Sequence, residues 1–206
     1  MIRLFAALTI ALLLPSLGTA KIVAKDVTYQ HGETTLQGYL AYDDATQAKR
    51  PGVLIIHQWT GLSDYEKKRA RMLAEMGYVA FALDVYGKGI RPSSGQEAGK
   101  VSSQYKNNRD HWRKRMNAGL DQLRQHELSD PDRLAAIGYC FGGTGAIELA
   151  RSGADLEGVV SFHGGLDSPT PEDGANIKAS VLALHGAADP LVPQEQVNAF
   201  QQEMET

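Results

Sequence analysis

The sequence contains a single cysteine, Cys140, so no disulfide can form within the chain. Neither sign of charge dominates, because 21 Lys and Arg residues face 24 Asp and Glu residues and both signs are spread along the chain. The lack of a basic stripe argues against nucleic acid as a partner. The sequence also lacks a repeat period and low-complexity tracts, which argues against a solenoid. With 43% hydrophobic and 22% charged residues, its composition is that of a globular domain.

The apolar stretch near the N-terminus, residues 4–14, is too short to cross a bilayer as a helix. Arg3 precedes this stretch and Pro15 follows it, while the small residues Gly18 and Ala20 fit a cleavage site. This order predicts a secretory signal peptide over residues 1–20 that is cut after Ala20. The alternative is a buried N-terminal helix. The remaining residues, 21–206, then form the mature domain.

Export would place the protein in the periplasm of a Gram-negative source and outside the cell otherwise, with no membrane association after cleavage. In such an oxidising compartment, paired cysteines become disulfides. Cys140 has no second cysteine in the chain, so it is a buried filler, an intermolecular link or a reactive thiol.

After Ala20 the pattern alternates between strands and helices, which predicts an α/β fold with a mostly parallel sheet and helices on both faces. Residues 34–43 have the alternation of an antiparallel edge strand, and residues 86–107 form a polar, glycine-rich excursion. A helix capped by Ser63 ends at Gly77, and a last helix opens near Gln194 and still runs at Thr206. Five short apolar strands are predicted at residues 52–58, 78–85, 133–140, 157–164 and 179–186.

The carboxyl ends of parallel strands form the ligand-binding edge of such a sheet. Several side chains that could take part in binding or catalysis lie at these strand ends. They are His57, Gln58, Trp59, Asp84, Cys140, His163, His185 and Asp189.

The stretch "GYCFGG" joins a predicted strand directly to a helix and has the form G-x-nucleophile-x-G. Gly138 and Gly142 leave room for a strained turn that lifts Cys140 above the sheet. At a helix N-terminus the dipole favours a thiolate, and the Phe141 amide would face a developing oxyanion. The alternative is a small buried cysteine at a glycine-rich junction.

The loop "LHGAADPLVP" follows a predicted buried strand, and it places Asp189 in the acid position that follows the nucleophile in this topology. Asp189 could instead cap a turn. The loop "HQWTG" follows the strand at residues 52–58, where a second oxyanion N–H is expected, and Trp59 is placed to supply it. The Trp59 indole could wall a pocket or anchor the surface.

Four motifs carry a resemblance to a known family, and they stand in the same order along the chain: "HQWTGLSDY", "GYVAFALDVYGKG", "AAIGYCFGG" and "LHGAADPLVP". The chain resembles the dienelactone hydrolases, cysteine members of the α/β-hydrolase superfamily. The resemblance implies hydrolysis of lactones and related esters, as in carboxymethylenebutenolidase, with no metal or organic cofactor. It implies that Cys140 is the nucleophile and Asp189 the acid. It also assigns the oxyanion amides to Trp59 and Phe141.

The chain departs from the family pattern at the position of Gln58, at the substrate-binding arginine and at the triad histidine. Where the family often has a glutamate that manages the thiol proton, this chain has Gln58, whose amide cannot accept a proton. The family's substrate-binding arginine has no clear match, so Lys88 and Arg91 are candidates by position only. Together with Gln58 and His163, these cations form the predicted substrate pocket.

The family's triad histidine follows the acid, yet no histidine follows Asp189 in this sequence. His57, His163 and His185 lie at strand ends and could approach Cys140, although each is more commonly a wall histidine. The chain is therefore expected to lack its last strand and helix, either as a fragment or by natural truncation. The sequence predicts a thiol-dependent lactone or ester hydrolase, and the alternative is an exported, non-catalytic binding protein. It carries no signal for oligomeric state.

Overall fold

The computed structural model describes residues 21–205, so the predicted signal peptide lies outside the described residues and stays a prediction. Seven strands of this part of the chain form one sheet in the order β1-β2-β4-β3-β5-β6-β7. The strands are β1 (Ile22–His31), β2 (Thr34–Asp43), β3 (Arg50–Ile56), β4 (Val79–Ala82), β5 (Ser129–Tyr139), β6 (Gly158–Phe162) and β7 (Ser180–Leu184). The helices are α1 (Asp64–Glu75), α2 (Gly95–Lys106), α3 (Arg109–Arg124), α4 (Phe141–Arg151) and α5 (Gln194–Glu203).

The sheet is parallel from β4 through β7, whereas β1 and β2 run antiparallel to their neighbours. Helices cover both of its faces. Leu54 and Ile56 of β3 face the core that contains Trp112 of α3, while Ile55 packs with Ala70 of α1 on the other face. The predicted α/β architecture is confirmed. No helix within residues 21–205 is long and apolar enough to span a membrane.

Helix α1 begins and ends as its sequence predicts. Ser63 and Glu66 form a reciprocal capping box at its start. Gly77, with φ of +91°, follows its C-cap residue. This cap fixes the path of the loop that precedes α1, which carries Trp59.

The prediction of an edge strand at residues 34–43 is wrong in position, because β2 lies inside the sheet. Strand β1 is the edge strand and pairs with β2 along its whole length, from Ile22 opposite Asp43 to His31 opposite Thr34. Tyr29 is buried in β1 and donates a hydrogen bond from its hydroxyl to Asp84 O.

The polar excursion predicted at residues 86–107 contains the helix α2. The Ser94 side chain caps α2 by accepting a hydrogen bond from the Glu97 amide at 3.2 Å. Ala98, Ser102 and Tyr105 form its buried face. The excursion is therefore half helix, and its apolar stripe is short because few of its residues face the core.

Two expectations at the C-terminal end also need correction. Strand β7 is only half-buried, because Val181 and Ala183 pack toward α5 whereas Leu182 and Leu184 are exposed on the opposite face. Helix α5 does not continue to Thr206. It ends at Glu203, where the Met204 amide donates a hydrogen bond to Phe200 O.

Candidate active site

The turn between β5 and α4 holds Cys140 in a strained backbone conformation, with φ of 55° and ψ of −115°. Such a left-handed conformation costs a non-glycine residue roughly 1–3 kcal/mol. Its amide donates to Phe162 O at 2.9 Å, and its carbonyl accepts from the Gly143 amide at 2.9 Å. These bonds hold the half-buried thiol at the N-terminus of α4, in the strand–turn–helix geometry that the sequence predicts.

The glycines of this turn are required by close backbone contacts. A Cβ atom on Gly138 would overlap the carbonyl of Gly142, and one on Gly142 would overlap Ile56 O and lie 2.6 Å from His57 O. The start of α4 therefore presses directly on the end of β3. This contact brings the Cys140 turn next to the loop that carries Trp59.

Two backbone amides near this contact have no acceptor. Within residues 21–205, neither the Trp59 amide nor the Phe141 amide donates a hydrogen bond. Phe141 is the first residue of α4, and the first N–H group of a helix has no partner within the helix and can bind a ligand. Both amides are therefore available for a ligand, and their role as oxyanion donors stays a prediction.

The Trp59 indole lies against α2, where a Cβ on Gly95 would come within 3.6 Å of the ring. The side chain is 40% exposed. The Tyr86 hydroxyl donates to Trp59 O at 2.8 Å and ties the loop to the chain after β4.

Asp189 lies in the loop between β7 and α5, and its two carboxylate oxygens have different neighbours. Oδ1 accepts a hydrogen bond from the Leu191 amide at 2.9 Å, and Oδ2 lies 2.6 Å from His163 Nδ1. The Leu191 hydrogen bond, with the nearby His163 ring, lowers the pKa of Asp189. Asp189 is thus an ionised partner for a histidine, as the prediction requires.

His163 follows β6 with φ of 57°, and its amide donates to Leu184 O at 2.9 Å. Its ring lines a cavity of about 110 Å³ together with Cys140, Phe141 and Leu191. The structure therefore brings His163 to both the thiol cavity and Asp189. Within residues 21–205, however, no hydrogen bond joins a histidine ring to Cys140 Sγ.

The predicted pocket cations lie elsewhere. The Arg91 guanidinium binds Ile90 O at 2.7 Å and lies 3.6 Å from the buried carboxylate of Asp84. Lys88 is exposed, and neither cation lines the cavity at Cys140. Asp84 itself accepts backbone hydrogen bonds, including one from the Tyr86 amide, so it shapes the turn after β4.

The cation that does line the cavity is Lys106, at the end of α2. The sequence pattern predicts a polar excursion at residues 86–107 rather than the helix α2, so it gives no reason to single out Lys106. Gln196 of α5 and Asp167 also line the cavity, and all three residues also border a larger polar cleft of about 1060 Å³. A helical spacing of Ala98, Ser102 and Tyr105 is the signal that would have located Lys106.

Gln58 contributes its backbone rather than its side chain to the observed contacts. Its amide donates to Glu66 Oε1 at 3.4 Å, and its carbonyl accepts from the Gly61 amide at 3.0 Å and from His57 Nδ1 at 2.6 Å. His57 is fully buried. His185 is half-buried and lies at the end of β7.

A mostly parallel sheet, a strained cysteine turn into a helix and an acid loop after a later strand define a protein of the α/β-hydrolase fold. The model of the dienelactone hydrolase family matches residues 36–206, and the chain belongs to that family. It is therefore related to hydrolases, and membership of this family implies a small-molecule substrate.

Solved structures and named relatives agree with this assignment. A structure named m3DLH is 41% identical, with a TM-score of 0.86 over 89% of this chain and 77% of that chain. A dienelactone hydrolase-like promiscuous phosphotriesterase from metagenomic libraries is 38% identical, with a TM-score of 0.84 over the same shares. A Bradyrhizobium protein named "Probable 2-oxo-3-(5-oxofuran-2-ylidene)propanoate lactonase" is 29% identical over 85% of this chain and 73% of its own length.

Proposed function

We propose that this protein hydrolyses lactones or esters through a covalent intermediate on Cys140. The observation that carries the proposal is the strained Cys140 turn, which is followed by the free amide of Phe141 and packs against His57, two residues before the free amide of Trp59. Relatives whose names specify a lactonase and a dienelactone hydrolase-like enzyme support the same chemistry. Export, as predicted from residues 1–20, is part of this proposal.

In the proposed first step, the Cys140 thiolate forms a bond to the carbonyl carbon, and the carbonyl oxygen becomes an oxyanion. The amides of Trp59 and Phe141 donate hydrogen bonds to that oxyanion. The intermediate collapses by breaking the carbon–oxygen bond of the ester, and the departing alkoxide takes a proton. A lactone ring opens in this step and stays attached as a thioester.

In the second step, water adds to the thioester carbon and the carbon–sulfur bond breaks. The products are the free acid and the regenerated thiol. A base must take the thiol proton and later that of water, and Asp189 would orient it. His163 is the described histidine in contact with Asp189, so we propose it as the first base to test.

The test compares the wild-type chain with C140S on a lactone, a p-nitrophenyl ester and a phosphate triester, the last because of the named phosphotriesterase relative. We expect turnover of the ester or lactone that is lost in C140S, and a mass increase of one acyl group on Cys140 in quenched reactions. No thiol-dependent turnover and no acyl-enzyme would refute the proposal. H163A should lower turnover if His163 is the base, whereas K88A should not.

A second candidate is a non-catalytic binding protein that uses the same cavity. It is favoured by the lack of a hydrogen bond between any described histidine ring and Cys140 Sγ, and by Gln58 in place of an acid. This candidate predicts slow, unselective alkylation of Cys140 and ligand binding that C140S leaves unchanged. Rapid alkylation that rises with pH would contradict it.

A further inference from the structure

The His57 ring connects two separate parts of the chain at the end of β3. Its Nδ1 lies 2.6 Å from Gln58 O, and its Nε2 lies 3.1 Å from the Val85 amide nitrogen. The ring is completely buried, and it lies edge-on to the Tyr86 ring at 4.8 Å between centroids. From its position at a strand end His57 could approach the thiol, but in the structure its ring nitrogens have other partners.

These partners determine where the ring carries its proton. The Val85 amide is a donor only, so Nε2 must present its lone pair, and the Gln58 carbonyl is an acceptor only, so Nδ1 must carry the hydrogen. A doubly protonated ring would lose the bond to Val85. Burial lowers the pKa of His57. The negative charges of Asp84 and Glu66 raise it to a smaller extent, and the positive charge of Arg91 lowers it. His57 is thus a neutral donor with both ring nitrogens engaged, which leaves no lone pair for the Cys140 proton.

The bond to Gln58 fixes the orientation of one peptide group. A trans peptide is planar, so its carbonyl and its N–H point in opposite directions. The Gln58 carbonyl is held inward by His57 and by the Gly61 amide at 3.0 Å. The N–H of the same peptide belongs to Trp59 and must point the other way, where it has no acceptor within the described chain.

The His57 ring also contacts Phe141, the residue that carries the second free amide. It stacks on the Phe141 ring with 6.0 Å between centroids and 19° between planes. The backbone at His57 touches the start of α4 at Gly142. A single buried side chain therefore contacts both segments that present a free amide.

We propose that His57 is a positioning residue that orients the Gln58–Trp59 peptide, so that the Trp59 amide and the Phe141 amide converge on one oxyanion. The expected effect of His57 on catalysis rests on the proposed function. The protonation state of its ring does not. It excludes His57 as the base.

The first test is ¹⁵N NMR of the histidine rings in the wild-type chain, with H57N used to assign the His57 signals. We expect a hydrogen on Nδ1, none on Nε2, and no titration of the ring across the range in which the protein stays folded. A His57 ring with its hydrogen on Nε2, or one that titrates near the ordinary histidine pKa, would overturn the inference even if the chain has no turnover. The outcome therefore separates this inference from the proposed function.

The second test uses H57L, which removes both hydrogen bonds, and H57N, whose side-chain amide can replace the Nδ1 donor. Loss of one oxyanion donor lowers kcat by about 10²–10³-fold. We expect H57L to lose about 100-fold in kcat with little change in KM, and H57N to recover most of it. Alkylation of Cys140 by iodoacetamide forms no oxyanion, so its rate and pH profile should stay at wild-type values in both variants.

H126N is the matched control, because the His126 ring packs on Tyr42, away from the thiol. It should leave kcat and alkylation unchanged. If H57L lowers the alkylation rate as much as kcat, or if neither H57L nor H57N changes kcat in an active chain, the inference is wrong. If H57L does not fold, the NMR experiment still decides the inference.

Discussion

Replacing Gly142 by alanine should force the start of α4 away from the end of β3. The added Cβ would lie 2.6 Å from His57 O and would overlap Ile56 O. Both neighbours are backbone atoms, one in the last residue of the central strand β3 and one in the residue that follows it, so no side-chain rotation can relieve the contact. Carbon–oxygen contacts of this kind settle at about 3.3–3.6 Å, so the added Cβ must move about 0.7–1 Å away from His57 O and farther from the closer Ile56 O.

This separation has two measurable effects. Overpacking of a well-packed core costs about 1–3 kcal/mol, and we expect G142A to lose at least that much free energy of unfolding. The same displacement would separate the amides of Phe141 and Trp59, and a misplacement of about 1 Å in an active site lowers the rate about 100-fold. Urea unfolding followed by tryptophan fluorescence measures the first effect, and kcat/KM for an ester measures the second.

Gly99 of α2 offers a matched control. A Cβ there would meet nothing closer than a Trp59 ring atom at 3.9 Å, which is an ordinary contact. Alanine is favoured over glycine within a helix by roughly 0.5–1 kcal/mol, so G99A should be neutral or more stable. A G142A variant that unfolds within about 0.5 kcal/mol of the wild type would refute the proposed contact between β3 and α4.

Two further predictions concern charged side chains. R151M should destabilise the fold by about 3–5 kcal/mol in urea unfolding, because Arg151 is the buried cation that pairs with Glu148 at 2.7 Å and Glu203 at 2.6 Å. R124M, which breaks an exposed pair, should change it by less than about 1 kcal/mol. The folded protein lowers the pKa of Asp189 below its ordinary 3.8, so the ionised carboxylate stabilises the fold above that pH. The wild type should therefore melt higher than D189N at neutral pH, and the gap should close as the pH falls through the folded pKa; a gap that persists in acid would contradict this.

The central part of the fold could be predicted because the local signals agree with the tertiary contacts there. The apolar runs that became β3 and β4 are buried on both faces, so these stretches are nearly all apolar. The "GYCFGG" turn could also be predicted, because the close approach of Gly142 to β3 excludes any side chain at that position. Here the requirement for glycine comes from contacts within a few residues of the turn and one neighbouring strand.

The edges of the fold were harder to predict because their residues contact solvent as much as the core. Strand β1 carries Lys25 and Asp26, which are exposed, and only Tyr29 is buried in it. Helix α2 buries three small or polar-tipped side chains, so its helical period is weak. In both elements tertiary pairing, rather than local propensity, determines the structure.

The contact between His163 and Asp189 could not be predicted at all. The two residues lie in separate loops, after β6 and after β7, and they meet because those strands are adjacent in register, with Phe162 opposite Leu184. The role of Arg91 was similarly hidden, since its attraction to the buried Asp84 depends on the turn after β4. Sequence order identifies the strand ends but not the direction in which their side chains point.

The hydrogen bonds of Glu66 and His57, near the end of β3, help to identify the group that accepts the Cys140 proton. Glu66 is a fully buried carboxylate near Gln58, but it already accepts hydrogen bonds from the Ser63 amide at 2.9 Å, the Ser63 hydroxyl at 2.6 Å and the Gln58 amide. His57 has both ring nitrogens engaged with backbone groups. Both residues hold the loop in place, and the His57 ring has no lone pair left for the thiol proton. The acceptor for the Cys140 proton is therefore expected on the opposite side of the cavity, where Asp189 presents its ionised carboxylate to a histidine ring.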